Sequence, residues 1–233
     1  MNKTVVIHQP DFLPYLGFLH RFLNAELWVI LDNVQFVCGT NKSWTNRDKI
    51  KTPNGEKWIT VAVQNAPRKS KINEIILSKT VDWRNGNLNL IRENYKKAPF
   101  FNEIFPYLMS LYSYDCERLV DYNMRSIDML LELYDVKIDR VIASTLTPTG
   151  KSNELLVDIL KKVGATRYLS GIGAKGYYDP VPFEKASIEI IWQDFKHPSY
   201  SQLFGEFIPY LSCIDMLFNC GIKKSREILR GCL

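Results

Sequence analysis

The stretch from Thr4 to Asp32 constrains the fold more than any other part of the chain. It opens on Thr4-Val-Val-Ile-His8, a short apolar run that reads as a buried strand. Gln9-Pro-Asp-Phe-Leu-Pro14 follows, and its prolines block any regular element there. From Tyr15 to Asn24, the residues Leu16, Leu19, Phe22 and Leu23 line one side of a helix. Leu27-Trp-Val-Ile-Leu-Asp32 then returns to strand. Strand, loop, helix and strand in so short a span form a βαβ unit. Its two strands are therefore expected to pair in parallel.

The rest of the chain continues the alternation. Asn33 to Asp48 is loop-like, and Asn54-Gly55 marks a turn in a hairpin over Asp48 to Val63, with Trp58 to Val63 as its clearest strand. Helical patterns cover Trp83 to Tyr95, Asn102 to Tyr112 and Leu119 to Tyr134. Arg140 to Ser144 is a strand, and Ser152 to Val163 a helix with Gly164 placed to end it. Strands are expected at Thr166 to Ser170 and Ile188 to Asp194, and a helix over Leu203 to Asn219, interrupted near Pro209. Ser212-Cys-Ile-Asp215 resembles a capping box, and Gly221 can end the helix before a last short one. The expected fold class is α/β: a mostly parallel, Rossmann-like sheet flanked by helices. The expected organisation is one domain over residues 1–233, with a mainly helical insertion at about 84–137.

Two glycine patterns invite a nucleotide reading. Gly171-Ile-Gly173-Ala-Lys-Gly176 matches the dinucleotide fingerprint in letters, between two strands. The fingerprint works by placing a helix N-terminus against the pyrophosphate. Here Pro180 and Pro182 forbid a long helix behind the loop. Nicotinamide and flavin are therefore rejected, and no cofactor is expected. Gly150-Lys151-Ser152 ends like a phosphate-binding loop, yet Thr145 stands where the pattern needs its first glycine. That stretch reads better as a helix start with Ser152 near its cap.

Composition narrows the classes. The net charge of +5 is carried by scattered Lys and Arg, so dedicated nucleic-acid binding is not expected, while anionic small molecules suit it. The five cysteines include no C-x-x-C pair, and with no signal peptide a reducing, cytoplasmic setting is expected. The three histidines form no H-x-x-x-H pair, so no metal site is expected. No apolar run is long enough to insert in a membrane.

Several blocks, taken in order, resemble the WbqC-like family. They are His8-Gln-Pro10 with Leu13-Pro-Tyr-Leu-Gly17, Asp32-Asn-Val-Gln35 with Ser43-Trp-Thr-Asn-Arg47, and Tyr95 to Phe101. Gly150-Lys151, Gly164 to Gly171 with Tyr177, His197-Pro-Ser-Tyr-Ser-Gln202, and Ser212 to Asn219 with Gly221 continue them. Val37-Cys-Gly-Thr40 departs from the basic or aromatic character expected there. The resemblance implies a protein of bacterial surface-polysaccharide loci such as O-antigen clusters. It also implies a role in modifying a nucleotide-linked amino sugar, by N-acylation or glycylation.

Loops at the carboxyl ends of strands in such a sheet form the ligand crevice. The candidate general bases are His8, Asp32 and His197. Gln9, Trp44, Asn46 and Arg47 are candidate sugar, base or phosphate contacts from the first two loops. Lys151, Ser170, Gly171, Gly173, Lys175, Tyr177 and Asp194 are candidates from the later ones. His8 reads equally as a hydrogen-bonded strand-end histidine, and a His-Pro turn accounts for His197. His20 reads as a partly exposed helical residue, Asp215 as a helix-cap acid, and Cys213 and Cys220 as buried thiols. The expected substrates are a nucleotide-linked sugar and an activated acyl donor. A nucleotidylyltransferase-like enzyme and a non-catalytic partner in a polysaccharide assembly complex remain as alternatives.

Overall fold

The computed structural model describes residues 2–37 and 43–232. Cys38, Gly39 and Thr40 of the departing segment lie outside them. Strands β1 (Thr4–His8), β2 (Leu27–Ile30), β5 (Asp139–Ile142), β6 (Arg167–Ser170) and β7 (Glu189–Trp192) build a five-stranded sheet in the order β5-β2-β1-β6-β7. Every pairing in it is parallel, with Val5 opposite Leu27 on one side and opposite Tyr168 on the other. Strands β3 (Arg47–Thr52) and β4 (Gly55–Thr60) form the separate antiparallel hairpin. The protein is thus α/β with a parallel sheet flanked by helices. The hairpin's second strand starts earlier than its Trp58–Val63 pattern indicates, because Gly55 directly follows the turn and pairs with Thr52.

Side-chain alternation divides the sheet between two cores. Val6, Trp28, Ile30 and Leu169 face one apolar cluster, while Val5, Ile7, Leu27, Val29 and Tyr168 face the other. The second is closed by α5 (Asn153–Lys162) and α6 (Pro180–Lys185). The first, larger core is closed by α1 (Leu16–Phe22), α2 (Trp83–Tyr95), α3 (Phe101–Tyr112), α4 (Leu119–Tyr134) and α7 (Ile214–Arg230). Helices α2 to α4 lie between the hairpin and β5 in the chain and pack on α7. Local chemistry sets the ends: Asp82 caps α2 by accepting from the Asn85 amide, and α4 stops at Asp135 in the left-handed region. Gly164 follows α5 at φ +67°, the place its sequence position indicates.

The C-terminal third departs from its sequence pattern. Residues 203–213 are not helical, and Phe204, Gly205 and Tyr210 there adopt positive φ. Helix α7 begins only at Ile214 and bends at Gly221, whose φ of +73° breaks the helical path. Phe100 packs where a β-carbon on Gly221 would lie, at 2.6 Å. The expected capping box is absent. Ser212 Oγ instead donates to the Leu13 carbonyl at 2.6 Å. Asp215 is fully buried and accepts from the hydroxyls of Tyr95 (2.7 Å) and Tyr200 (2.8 Å).

Candidate functional site

Chain order places β1 to β2 and β5 on one side and crosses to β6 and β7 on the other, so the crossover switches direction between β1 and β6. Beyond the carboxyl ends of two such strands lies the natural ligand crevice of an open parallel sheet. Here it is bordered by His8 and the loop to Tyr15, and by Ser170 and Gly171.

The β1 loop is held in shape from outside. Asn123, buried on α4, donates to the carbonyls of Pro10 (2.7 Å) and Thr45 (2.5 Å). Ser126 Oγ accepts from the Leu13 amide at 3.4 Å, and the Cys213 amide donates to the Pro14 carbonyl at 3.1 Å. Leu13 itself sits at φ 42°, a conformation that this clamp enforces. Gly17 matters for a separate reason. The Tyr15 ring folds back over it so closely that a β-carbon would meet ring carbon Cε2 at 2.3 Å.

The held loop presents a buried polar cluster. His8 Nδ1 donates to the Gln9 carbonyl at 2.8 Å, which leaves Nε2 as an unprotonated acceptor. Burial, with the Arg21 charge behind it, lowers the His8 pKa to about 3, so the ring is neutral. The Asp11 carboxyl lies 3.7 Å from His8 Nδ1 and keeps 13% of its surface. Burial raises its pKa to about 7, against the opposing pull of Arg21 and Thr45. Asp48 on β3 is also buried and driven up, mainly by desolvation and further by the charge of Asp11. Arg21 on α1 is only 5% exposed, and its Nη1 faces Gly171, where a β-carbon would lie 3.4 Å away.

A pocket of about 190 Å³ opens on the α5 and α6 side of the sheet, and Ser170 at the end of β6 lines it. Its walls include Leu155, Tyr168, Tyr178, Phe183 and Trp192. Tyr178 meets Trp192 edge to face at 5.2 Å, and Lys175 Nζ stands 5.3 Å from the Trp192 ring centre. Tyr177, 73% exposed, sits at the rim, and its carbonyl accepts from Asn153 Nδ2 at 3.1 Å. The glycine-rich segment is a run of 3-10 turns over Ile172–Tyr177. Gly173 and Gly176 have ordinary φ and open space around the α-carbon, and the following helix α6 has six residues. The tight turn and long helix that give the fingerprint its phosphate contact are both missing.

The structure therefore brings some sequence candidates together and separates others. His8, Gln9, Ser170 and Gly171 border the switch point, Gln9 accepting from the Thr45 hydroxyl at 2.9 Å. Tyr177 and Lys175 belong to the adjoining pocket. Asp32 is buried and filled: Ser144 gives it an amide (2.9 Å) and a hydroxyl (2.6 Å), and Asn73 an amide nitrogen at 2.9 Å. It ties the end of β2 to the segments after β5 and before α2. Asn46 is buried and donates to the Val61 carbonyl at 3.0 Å, a hairpin support. Trp44 and Arg47 form an aromatic–cation stack on the hairpin, Arg47 lying 4.1 Å from the Trp58 ring centre. Lys151 and Asp194 are exposed.

His197 sits in an aromatic wall with Phe195, Tyr200, Phe207 and Tyr210, its Nδ1 donating to the Pro198 carbonyl. Tyr15 touches that wall through Phe195 and Tyr210, each at 6.2 Å. His20 is buried, correcting its reading as a partly exposed residue: Nε2 donates to the Cys232 carbonyl and Nδ1 accepts from Gln193. Of the two thiols expected to be buried, Cys213 is so and Cys220 is half-buried. Asp11, Tyr15, Arg21 and Asp48 are the functional candidates that sequence reasoning missed. The one available signal was an acid between two prolines at the end of the first strand. Among the described residues, no group of three or more His, Cys, Asp or Glu is gathered as for a metal ion. No helix among them is long and apolar enough to cross a membrane.

The fold defines a Rossmann-like α/β protein with a polar cluster at its switch point. The WbqC-like protein family model matches residues 9–227, and the chain belongs to that family. It is 30% identical to the uncharacterized protein Rv1507c of Mycobacterium tuberculosis (strain ATCC 25618 / H37Rv), over 99% of each chain. No solved structure matches it.

Proposed function

We propose that the protein is a transferase that acylates or glycylates a nucleotide-linked amino sugar in bacterial surface-polysaccharide synthesis, within the cytoplasm. The observation that carries this is Asp11, whose pKa burial raises to about 7, on the loop leaving β1 at the sheet's switch point, with an aromatic pocket that reaches Ser170 at the end of neighbouring β6. An acid poised there is matched to general-base work at neutral pH. In this reading a planar ring of the nucleotide sugar stacks in the pocket near Trp192 and Tyr178, with Lys175 toward its phosphates. The sugar amine nitrogen attacks the acyl carbon, Asp11 takes the N–H proton, and the donor's leaving group departs. The neutral His8 supplies Nε2 as an acceptor that orients the amine. We assign the base to Asp11 because Asp32 is saturated with donors and His197 lies in the aromatic wall. The reading treats residues 1–233 as one domain whose helical insertion supports the reacting loop.

Thermal-shift titration with a panel of nucleoside-diphosphate amino sugars tests it, followed by acyl-transfer assays with acyl donors. A rise in melting temperature with one sugar is expected, weakened by Trp192→Ala. No shift with any member of the panel would remove the proposal. The strand order favours a second reading, a nucleotidylyltransferase-like enzyme, since β1, its loop and α1 lead into β2 as in that layout. Pyrophosphate release from a nucleoside triphosphate is its distinguishing assay.

A further inference from the structure

Proton transfer to Asp11 leaves Arg21 without a role. Its side chain is buried, and the Nε–H has no hydrogen-bond partner. Among the described residues, no carboxylate stands within ion-pair reach of the guanidinium, and its only ring contact is with Phe18 at 5.7 Å. A guanidinium stays protonated in proteins, so this is a permanent charge held out of water; Asp11 attracts it through space but makes no ion pair with it. Folded chains rarely maintain such a charge unless something else completes it.

The surroundings say what completes it. His8, Tyr15 and Tyr168 are neutral neighbours, burial pushes Asp48 toward its uncharged form, and Asp11 is uncharged once it has taken the amine proton. Lys49, beside Asp48 on the hairpin, is paired with Glu56. Among these neighbours Arg21 is the one fixed positive charge without an ion-pair partner. Gly171 leaves the approach to Nη1 free of any side chain. One planar fork with one charge matches one carboxylate in two parallel hydrogen bonds. A phosphate dianion would bring a charge that nothing here balances. We propose that Arg21 is the receptor for a single carboxylate group carried by one of the small molecules that react at this crevice. This rests on reading the crevice as the reacting site.

The test uses the full chain and follows arginine Nε–Hε resonances by NMR, titrating sodium acetate and, separately, inorganic phosphate. The Arg21 signal is identified by its loss in Arg21→Lys or by through-bond assignment. A saturable shift of that signal with acetate is expected, with weaker binding of phosphate. Acetate affinity should fall roughly tenfold or more in Arg21→Gln, and partly in Arg21→Lys. Three results overturn the proposal: an unmoved Arg21 signal with acetate, tighter binding of phosphate than of acetate, or unchanged acetate binding in Arg21→Gln. If neither variant folds, the wild-type resonance decides alone. Nucleotide-sugar binding to Arg21→Gln reports on the aromatic pocket. Its absence in wild type, with acetate still bound, would end the transferase reading and leave the carboxylate site standing.

Discussion

At the scale of single residues, Asp11 couples chemistry to stability in opposite directions. Its ordinary pKa is 3.8 and its folded value about 7, so the folded state holds the proton more tightly than the unfolded one. The stabilising difference is present in full below the unfolded pKa and is lost as pH rises through 7. Asp11→Asn is therefore expected to melt several degrees above wild type at pH 8 and about level with it at pH 4, by calorimetry. Activity should behave the other way. In wild type, kcat/KM rises through about pH 7 as Asp11 loses its proton. In Asp11→Asn that rise should vanish along with about two orders of magnitude of rate. Gly17→Ala tests the Tyr15 position: a methyl group there displaces the ring. The expected cost is about 1–3 kcal/mol, read by denaturant unfolding, together with loss of substrate affinity. Neither role was legible in sequence. Asp11 sits in a proline loop with no periodicity. Arg21 sits on a helix whose seven residues are all buried, so no polar face marked it off.

At the scale of elements, α4 holds the β1 loop in shape. Asn123 on α4 reaches two carbonyls that no other described donor serves, those of Pro10 and Thr45. Asn123→Ala leaves both unsatisfied in the interior, at about 1–3 kcal/mol for each. It should lower the melting temperature, and at temperatures where the variant is folded it should reduce acyl transfer more than nucleotide-sugar binding. The aromatic pocket stands on α5, β6 and β7, and neither Asn123 nor the carbonyls it holds line it. Elements that bury one stripe were readable: the patterns over Trp83 to Tyr95 and Leu119 to Tyr134 coincide with α2 and α4. The segment 203–213 was not. Its leucines, phenylalanines and tyrosines mimic a helix, while positive φ at Phe204 and Tyr210 and the aromatic wall decide its path. Tertiary packing overrode local propensity there.

At the scale of the whole molecule, the βαβ start at Thr4 to Asp32 correctly indicated a parallel sheet, because that connection has few alternatives. Strand order is a different matter. Whether β6 joins beside β1 or beyond β5 depends on which faces the helices cover, and no local pattern carries that. The switch point, and with it the cluster of His8, Asp11 and Arg21, was consequently invisible until β1 and β6 were seen as neighbours. The hairpin candidates were legible as a group: Trp44 and Arg47 stack with Trp58.

The bonds from Ser212 to Leu13, from Cys213 to Pro14 and between His20 and Cys232 join residues far apart in sequence across the β1 loop. During synthesis the loop leaves the ribosome well before these restraints. A nascent chain arrested before Ser212 should thus carry a formed β1–β2 pair around an open, protease-sensitive Gln9–Pro14 segment. Release of helix α7 should close that segment in one step. Pulse proteolysis of stalled chains of increasing length would time that closure, which ties the shape of the β1 loop to the arrival of a distant part of the chain.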